Sequence, residues 1–264
     1  MVVRHRKAVI ADRGHMTGSQ TVLLLGAGAA AAIVGSAGGT ASLISYPALL
    51  AVGIPPLPAT VTNSIAFVAA WPGSALGSRP ELSGQAPWLR RWAPLTAAGS
   101  AVGATLLIFT PATIFDRIVP FLLAFAAIAL LLQPRISAWL AGRPSGGSRL
   151  LLPGGLAIAS AYNGYWGAGS GIAILTVLMI TTGQHITRSN ALKNMLLGVA
   201  DVTCGVVYIM FWPVDWAATA PMAVGMLAGS MIGPSLARHI PAHGLRIIVA
   251  IAGLGLAIRL WATS

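Results

Sequence analysis

The chain has 264 residues, of which 56% are hydrophobic and 8% charged, against about 25% charged in an average soluble domain. Long uncharged stretches separate a few charged clusters, many of them near the roughly 20 residues that span a bilayer core as helix. This excludes a soluble globular protein and predicts an all-α integral membrane protein in contact with the lipid bilayer. The net charge of +11 does not point to nucleic acid, because Lys and Arg sit at segment ends rather than along one helix face. Retention of basic residues on the cytoplasmic side of a membrane gives the same excess. Cys204 is the single cysteine, which excludes an intramolecular disulfide and a Cys-rich metal site. No metal or cofactor is expected.

Residues 1–20 carry Arg4, Arg6, Lys7 and Arg13 against Asp12 and read as a disordered basic leader, with Met16 as a second start. The run 21–37 resembles a signal-peptide core, but it opens an internal repeat and is expected to be retained. The apolar runs then fall at 21–53, 60–78, 93–110 and 116–133, followed by a polar linker over 135–150, and at 151–182, 188–212, 216–237 and 244–262. That makes about eight transmembrane segments. The first run is too long for one helix and is interrupted from Gly35 to Thr40. The fifth is also overlong and is interrupted from Asn163 to Gly171.

The two halves, 21–134 and 151–264, repeat as four-segment units. Gly39-Thr40 matches Gly169-Ser170, Gly53 matches Gly183, Gly99-Ser100 matches Gly229-Ser230, and Arg117-Ile118-Val119 matches Arg246-Ile247-Ile248. Asn63 matches Asn190. The offsets stay between 127 and 130, which points to a duplicated unit. With all eight segments crossing, the leader, Arg79/Arg90/Arg91 and the 135–150 linker share one side. Arg188/Lys193 and Arg238/Arg246 then lie on the other, against the basic-residue rule. The alternative makes segments one and five re-entrant and the repeats inverted.

Gly-interrupted segments at equivalent places in two halves are the sequence pointer to a transporter's binding site. Irregular backbone persists at membrane depth only inside protein or beside water, and a helix N-terminus offers N–H donors to an anion. Gly38, Gly39, Thr40, Gly167, Gly169 and Ser170 are therefore candidate anion-binding residues. The regular spacing of Gly99/Gly103 and Gly225/Gly229/Gly233 reads as helix packing instead. In the sixth segment Asn190, Lys193, Asn194, Asp201 and Cys204 share one helix face. Lys193, Asn190 and Asn194 are candidate substrate ligands, and Asp201, an acid inside an apolar segment, is the candidate proton carrier. The competing reading makes Lys193 and Asp201 a structural ion pair. Asn63 and Ser64 are the first-half counterparts, and they and Asn190 also suit helix capping.

Gly35-x-x-Gly38-Gly39-x-x-x-Leu43-x-x-x-Pro47-x-Leu49-x-x-x-Gly53 followed by Ala59-x-x-x-Asn63-Ser64 resembles the opening of the sulfite exporter TauE/SafE family, also called the toluene-sulfonate uptake permease family. Gly164-x-x-Gly167-x-Gly169-x-Gly171, Gly183 and Gly229-Ser230-x-x-Gly233 echo its second half, so the resemblance covers about residues 22–261. The chain departs from the pattern at Ala37 and Ala168, where the family often has glycine, and in the basic Arg188 and Lys193. The resemblance implies a secondary carrier of sulfite, organosulfonates or related sulfur anions in a prokaryotic inner (plasma) membrane. The expected partner is a small anionic solute, and homo-oligomerisation is compatible with this reading.

No Gly-x-x-x-x-Gly-Lys-Ser/Thr loop is present, so this chain does not read as an ATP-driven pump. An intramembrane enzyme reads poorly, because His5, His15, His185, His239 and His243 lie in the leader or at loop ends and Asp201 has no evident catalytic partner. Gly26-Ala27-Gly28 lacks the acid that a dinucleotide site carries about 20 residues on. A channel, or a non-transporting membrane subunit of a complex, is the remaining alternative.

Overall fold

The structure is a computed structural model that describes residues 16–38, 41–141, 150–236 and 242–263. Most of the basic leader, the core of the polar linker, Arg238 and His239 lie outside the described residues, as do Gly39 and Thr40. The described residues form α-helices and no strand: α1 (Gly18–Gly38), α2 (Ser42–Ala51), α3 (Pro56–Val68), α4 (Trp71–Gly77), α5 (Ala86–Phe109), α6 (Ala112–Ala141), α7 (Leu151–Tyr165), α8 (Ser170–Thr182), α9 (Ile186–Phe211), α10 (Trp216–Leu236) and α11 (Ala242–Thr263).

Among the described residues, five helices are long and apolar enough to cross a membrane: α1, α5, α6, α9 and α10. Their outward faces are apolar rather than charged. Phe121 and Phe125 on α6 are 65% and 60% exposed, and Val102 and Leu106 on α5 and Met231 on α10 are exposed as well. Polar side chains point inward instead: Ser100, Thr96, Asn163, Ser170 and Lys193 are buried. This inside-out polarity is what a hydrocarbon solvent selects.

The overlong fifth run is two helices, α7 and α8, joined by Trp166–Gly169. Gly167 and Gly169 adopt left-handed backbone at φ 84° and 86°, a region open to glycine and strained for a residue with a side chain. Tyr162 clamps the joint by donating to the Ala168 carbonyl at 2.8 Å. Trp166 seats it, with its ring edge-on to Tyr46 of α2 at 4.8 Å and against Phe115 of α6 at 5.8 Å. The first run likewise separates into α1 and α2. At ~1.5 Å per residue, α2 and α8 are each shorter than the ~30 Å hydrocarbon core.

Several boundaries differ from the sequence expectation: α5 starts at Ala86 rather than 93, and helix persists through Gly38 and Tyr165, inside both expected interruptions. The second run, 60–78, is broken at Ala69-Ala70 into α3 and α4. Pro72 explains this, since it lacks an N–H and its ring collides with the carbonyl four residues back, at Val68, where α3 ends. The fourth run, α6, does not stop at 133 but continues through Arg135 to Ala141. Ile136 and Leu140 in this extension pack on Leu175 and Met179 of α8, which sustains the helix into the expected linker.

Helix pairing crosses between the two halves of the chain. α1 packs along α10, and α5 packs along α7. Both pairs close on glycine. Gly28 lies over the Met222 carbonyl, Gly225 over that of Leu25, and Gly229 over Ala29. In the other pair Gly99 lies over the Ala157 carbonyl, Gly103 over that of Ala161, and Gly164 over that of Ser100. A Cβ at any of these would overlap the facing backbone, so they let the helices approach closely. Gly164 therefore serves packing rather than the break that follows it. α9 runs through the centre against α3, α5, α7 and α8. It is tied to α5 by Ser100 Oγ donating to the Ala200 carbonyl at 2.7 Å and to α7 by the Tyr208 hydroxyl donating to the Gly164 carbonyl.

Candidate functional site

The helix breaks meet α9 around a cavity of about 100 Å³. On this measure a single water needs roughly 10–15 Å³, so a small solute with a few waters fits. The lining draws on both halves. α1 gives Gly35, the start of α2 gives Ser42, α3 gives Asn63 and Ser64, and α4 gives Trp71 and Ser74. From the second half come Asn163 of α7, Gly167, Ser170 and Gly171 at the start of α8, and Lys193, Asn194, Gly198 and Asp201 of α9.

Lys193 is 2% exposed, and its Nζ donates to Asn190 Oδ1, one turn back, at 2.7 Å. Asp201 lies two turns further on, where its Oδ1 accepts from Asn163 Nδ2 at 2.9 Å. Asn163 Oδ1 in turn accepts from Ser170 Oγ at 2.6 Å, and Ser170 Oγ also reaches the Gly167 carbonyl at 2.7 Å. Each charge is thus held by a neutral amide, and the Lys193–Asp201 ion pair does not form. Asn63, 4% exposed, has its side-chain oxygen buried without a hydrogen-bond partner. The Trp71 ring lies directly over Gly198, where a Cβ would overlap it.

Of the residues expected from sequence, Asn63, Ser64, Gly167, Ser170, Lys193, Asn194 and Asp201 line the cavity. Asn190 stands behind the lining and touches it through Lys193. Gly169 caps α8 and faces Ala126 of α6 rather than the cavity. Gly38 ends α1. The capping alternative fails. α3 starts at Pro56 and α9 at Ile186, the latter capped by His185, whose side chain accepts from the Thr187 amide. Asn63, Ser64 and Asn190 therefore lie inside helices.

Asn163 and Trp71 were not expected as site residues. Asn163 carried a signal, a polar side chain at the edge of a Gly-rich break with an unpartnered acid elsewhere in the chain. Trp71 carried none, because an aromatic residue at helical spacing reads as core. Positions 63, 64, 67 and 71 line the cavity from the first half and 193, 194, 197 and 201 from the second, each pair 130 residues apart.

A chain clad in apolar side chains, with broken helices around a polar cavity that holds a buried cation, is in class a multi-pass membrane transporter. Its residues 23–260 match the model of the sulfite exporter TauE/SafE family, and the chain belongs to that family. It is 28% identical over 247 residues to the probable membrane transporter protein ORF9 of Sinorhizobium sp, covering 88% of each chain. It is 24% identical to the probable membrane transporter protein YfcA of Escherichia coli K12, over 78% of this chain and 76% of the relative. It is 26% identical to a probable membrane transporter protein of Haemophilus influenzae, over 81% and 82%. No solved structure matches the chain.

Proposed function

We propose that this protein is a secondary carrier of small anions, with sulfite, organosulfonates or related sulfur anions as its first substrate class, and that it works without catalysis. The observation that carries this is Lys193, a buried ammonium lining the cavity with an amide rather than a carboxylate as its partner. A buried cation without a counter-charge is unfavourable, and an entering anion removes that penalty. The first turns of α2 and α8 also line the cavity and add N–H donors and a partial positive charge. Asp201, across the same cavity, takes a proton as the anion loads, so that no bare carboxylate faces the bound anion.

The carrier is read as two four-segment repeats in a cell inner membrane. The exchanged pairing of α1 with α10 and of α5 with α7 supports it, as does the constant offset of the lining residues. In this reading the 35–40 and 163–171 stretches hold equivalent places in the two halves. Uptake of labelled sulfite by proteoliposomes holding the purified protein tests the proposal. Uptake that saturates and depends on an imposed gradient is the expected result. Fast, non-saturating flux would make the protein a channel, and no flux of any anion tested would reject the reading.

A further inference from the structure

Lys193 and Asp201 line one cavity, do not pair with each other, and each hold only a neutral amide. A simple anion matches the first and leaves the second to a proton. A charge in a low-dielectric wall is satisfied by any opposite charge of good geometry, and a proton is only one way to supply it. We propose that the cavity also takes small zwitterions, with the acid group on Lys193 and an ammonium on Asp201 in place of the proton. This rests on the cavity being the carrier's substrate site.

The spacing sets which zwitterions fit. The two residues are eight apart on α9, a rise of ~12 Å. Lys193 leans back toward Asn190, away from Asp201, so its ammonium stands no closer to the acid than that rise. Two charge-assisted contacts of ~2.8 Å each then leave at least roughly 6 Å between the ligand's own charged groups. An α-amino acid, whose nitrogen and carboxyl carbon are about 2.5 Å apart, does not span this gap. A chain with acid and amine at opposite ends of four or more carbons comes far closer to it. Asn63 adds an acceptor, since its side-chain oxygen is buried, unpartnered and part of the lining. An ammonium has three N–H groups to place, and Asp201 and Asn63 both line the cavity that would hold it. A sulfonate or carboxylate alone offers these acceptors nothing.

Calorimetric titration of the full chain in lipid nanodiscs with 4-aminobutanoate, its isomer 2-aminobutanoate and butanoate tests this without any variant. The expected result is at least ~10-fold tighter binding of 4-aminobutanoate than of either other compound. Asp201→Asn should collapse that ratio. Asp201→Glu, which narrows the gap by one methylene, should move the preference toward 3-aminopropanoate. Equal binding of the two isomers, or butanoate binding as tightly as 4-aminobutanoate, would overturn the inference. If sulfite still binds in that case, the anion-carrier reading stands. If sulfite and all three compounds fail to bind, both readings fall.

Discussion

Asn163 of α7 donates its side-chain amide to Asp201 of α9 at 2.9 Å while its oxygen takes the Ser170 hydroxyl at 2.6 Å. One residue thus fixes the acid of the central helix to both sides of the second-half break. Asn163→Ala should leave Asp201 short of a partner, while the Ser170 hydroxyl keeps the Gly167 carbonyl. The expected loss is about 1–3 kcal/mol for the unsatisfied group, read as a lower melting temperature in detergent. An unchanged melting temperature would mean that the three side chains are not coupled.

Lys193→Met should separate stability from function. The substitution removes a buried ammonium held by a single amide and keeps most of the side-chain volume. A buried charge without a counter-charge is costly to hold, and an apolar side chain removes that cost. Thermal stability should hold or rise while saturable sulfite uptake is lost. Uptake within twofold of the parent protein would remove Lys193 from the anion site.

Asp201→Asn preserves an oxygen to accept from Asn163 but cannot exchange a proton. Sulfite uptake by the parent protein should respond to an imposed pH difference across the proteoliposome. In Asp201→Asn that response should flatten. A variant with the full pH response would leave Asp201 as a structural acceptor only.

Close helix packing predicts a graded series at glycine. Gly103→Val and Gly225→Val place a branched side chain against the carbonyls of Ala161 and Leu25 and should each destabilise by several kcal/mol, at the upper end for overpacking. Gly18→Ala and Gly154→Ala meet no atom within 4 Å and should be neutral or slightly stabilising. Melting temperatures of the four variants check the order.

Gly198→Ala should push the Trp71 ring into the cavity and impair uptake, because an indole cannot fold away as a flexible chain does. Adding Trp71→Ala should relieve that overlap. Uptake by the double variant no better than by Gly198→Ala alone would mean that the contact does not shape the cavity.

The all-helical, membrane-embedded character was legible in composition and run length, because a bilayer imposes those constraints along the chain itself. The break within 151–182 was legible for a related reason. An apolar run longer than a bilayer is thick, with clustered glycines inside it, has to interrupt. The extent of α6 was not legible, because Ile136 and Leu140 are sustained by α8, which lies across the linker in sequence. The split of α3 from α4 could have been found at Pro72, but the apolar run around it masked the signal.

Sequence by itself determined the solvent, the helical class and the polar residues that have no place in lipid, among them Asn63, Lys193 and Asp201. Their residue types and neighbours are sufficient for that, since a charge in an apolar segment must face protein or water wherever the segment lies. Only the tertiary structure decided the partners. Lys193 and Asp201 share a helix face and suit an ion pair on paper, yet each is held by an asparagine. Asn190 lies within reach on Lys193's own helix, whereas Asn163 is brought to Asp201 from a helix nearly forty residues away. Hydrogen bonds across helices depend on how closely those helices approach, and here the glycine contacts between α5 and α7 help to set α7 beside α9.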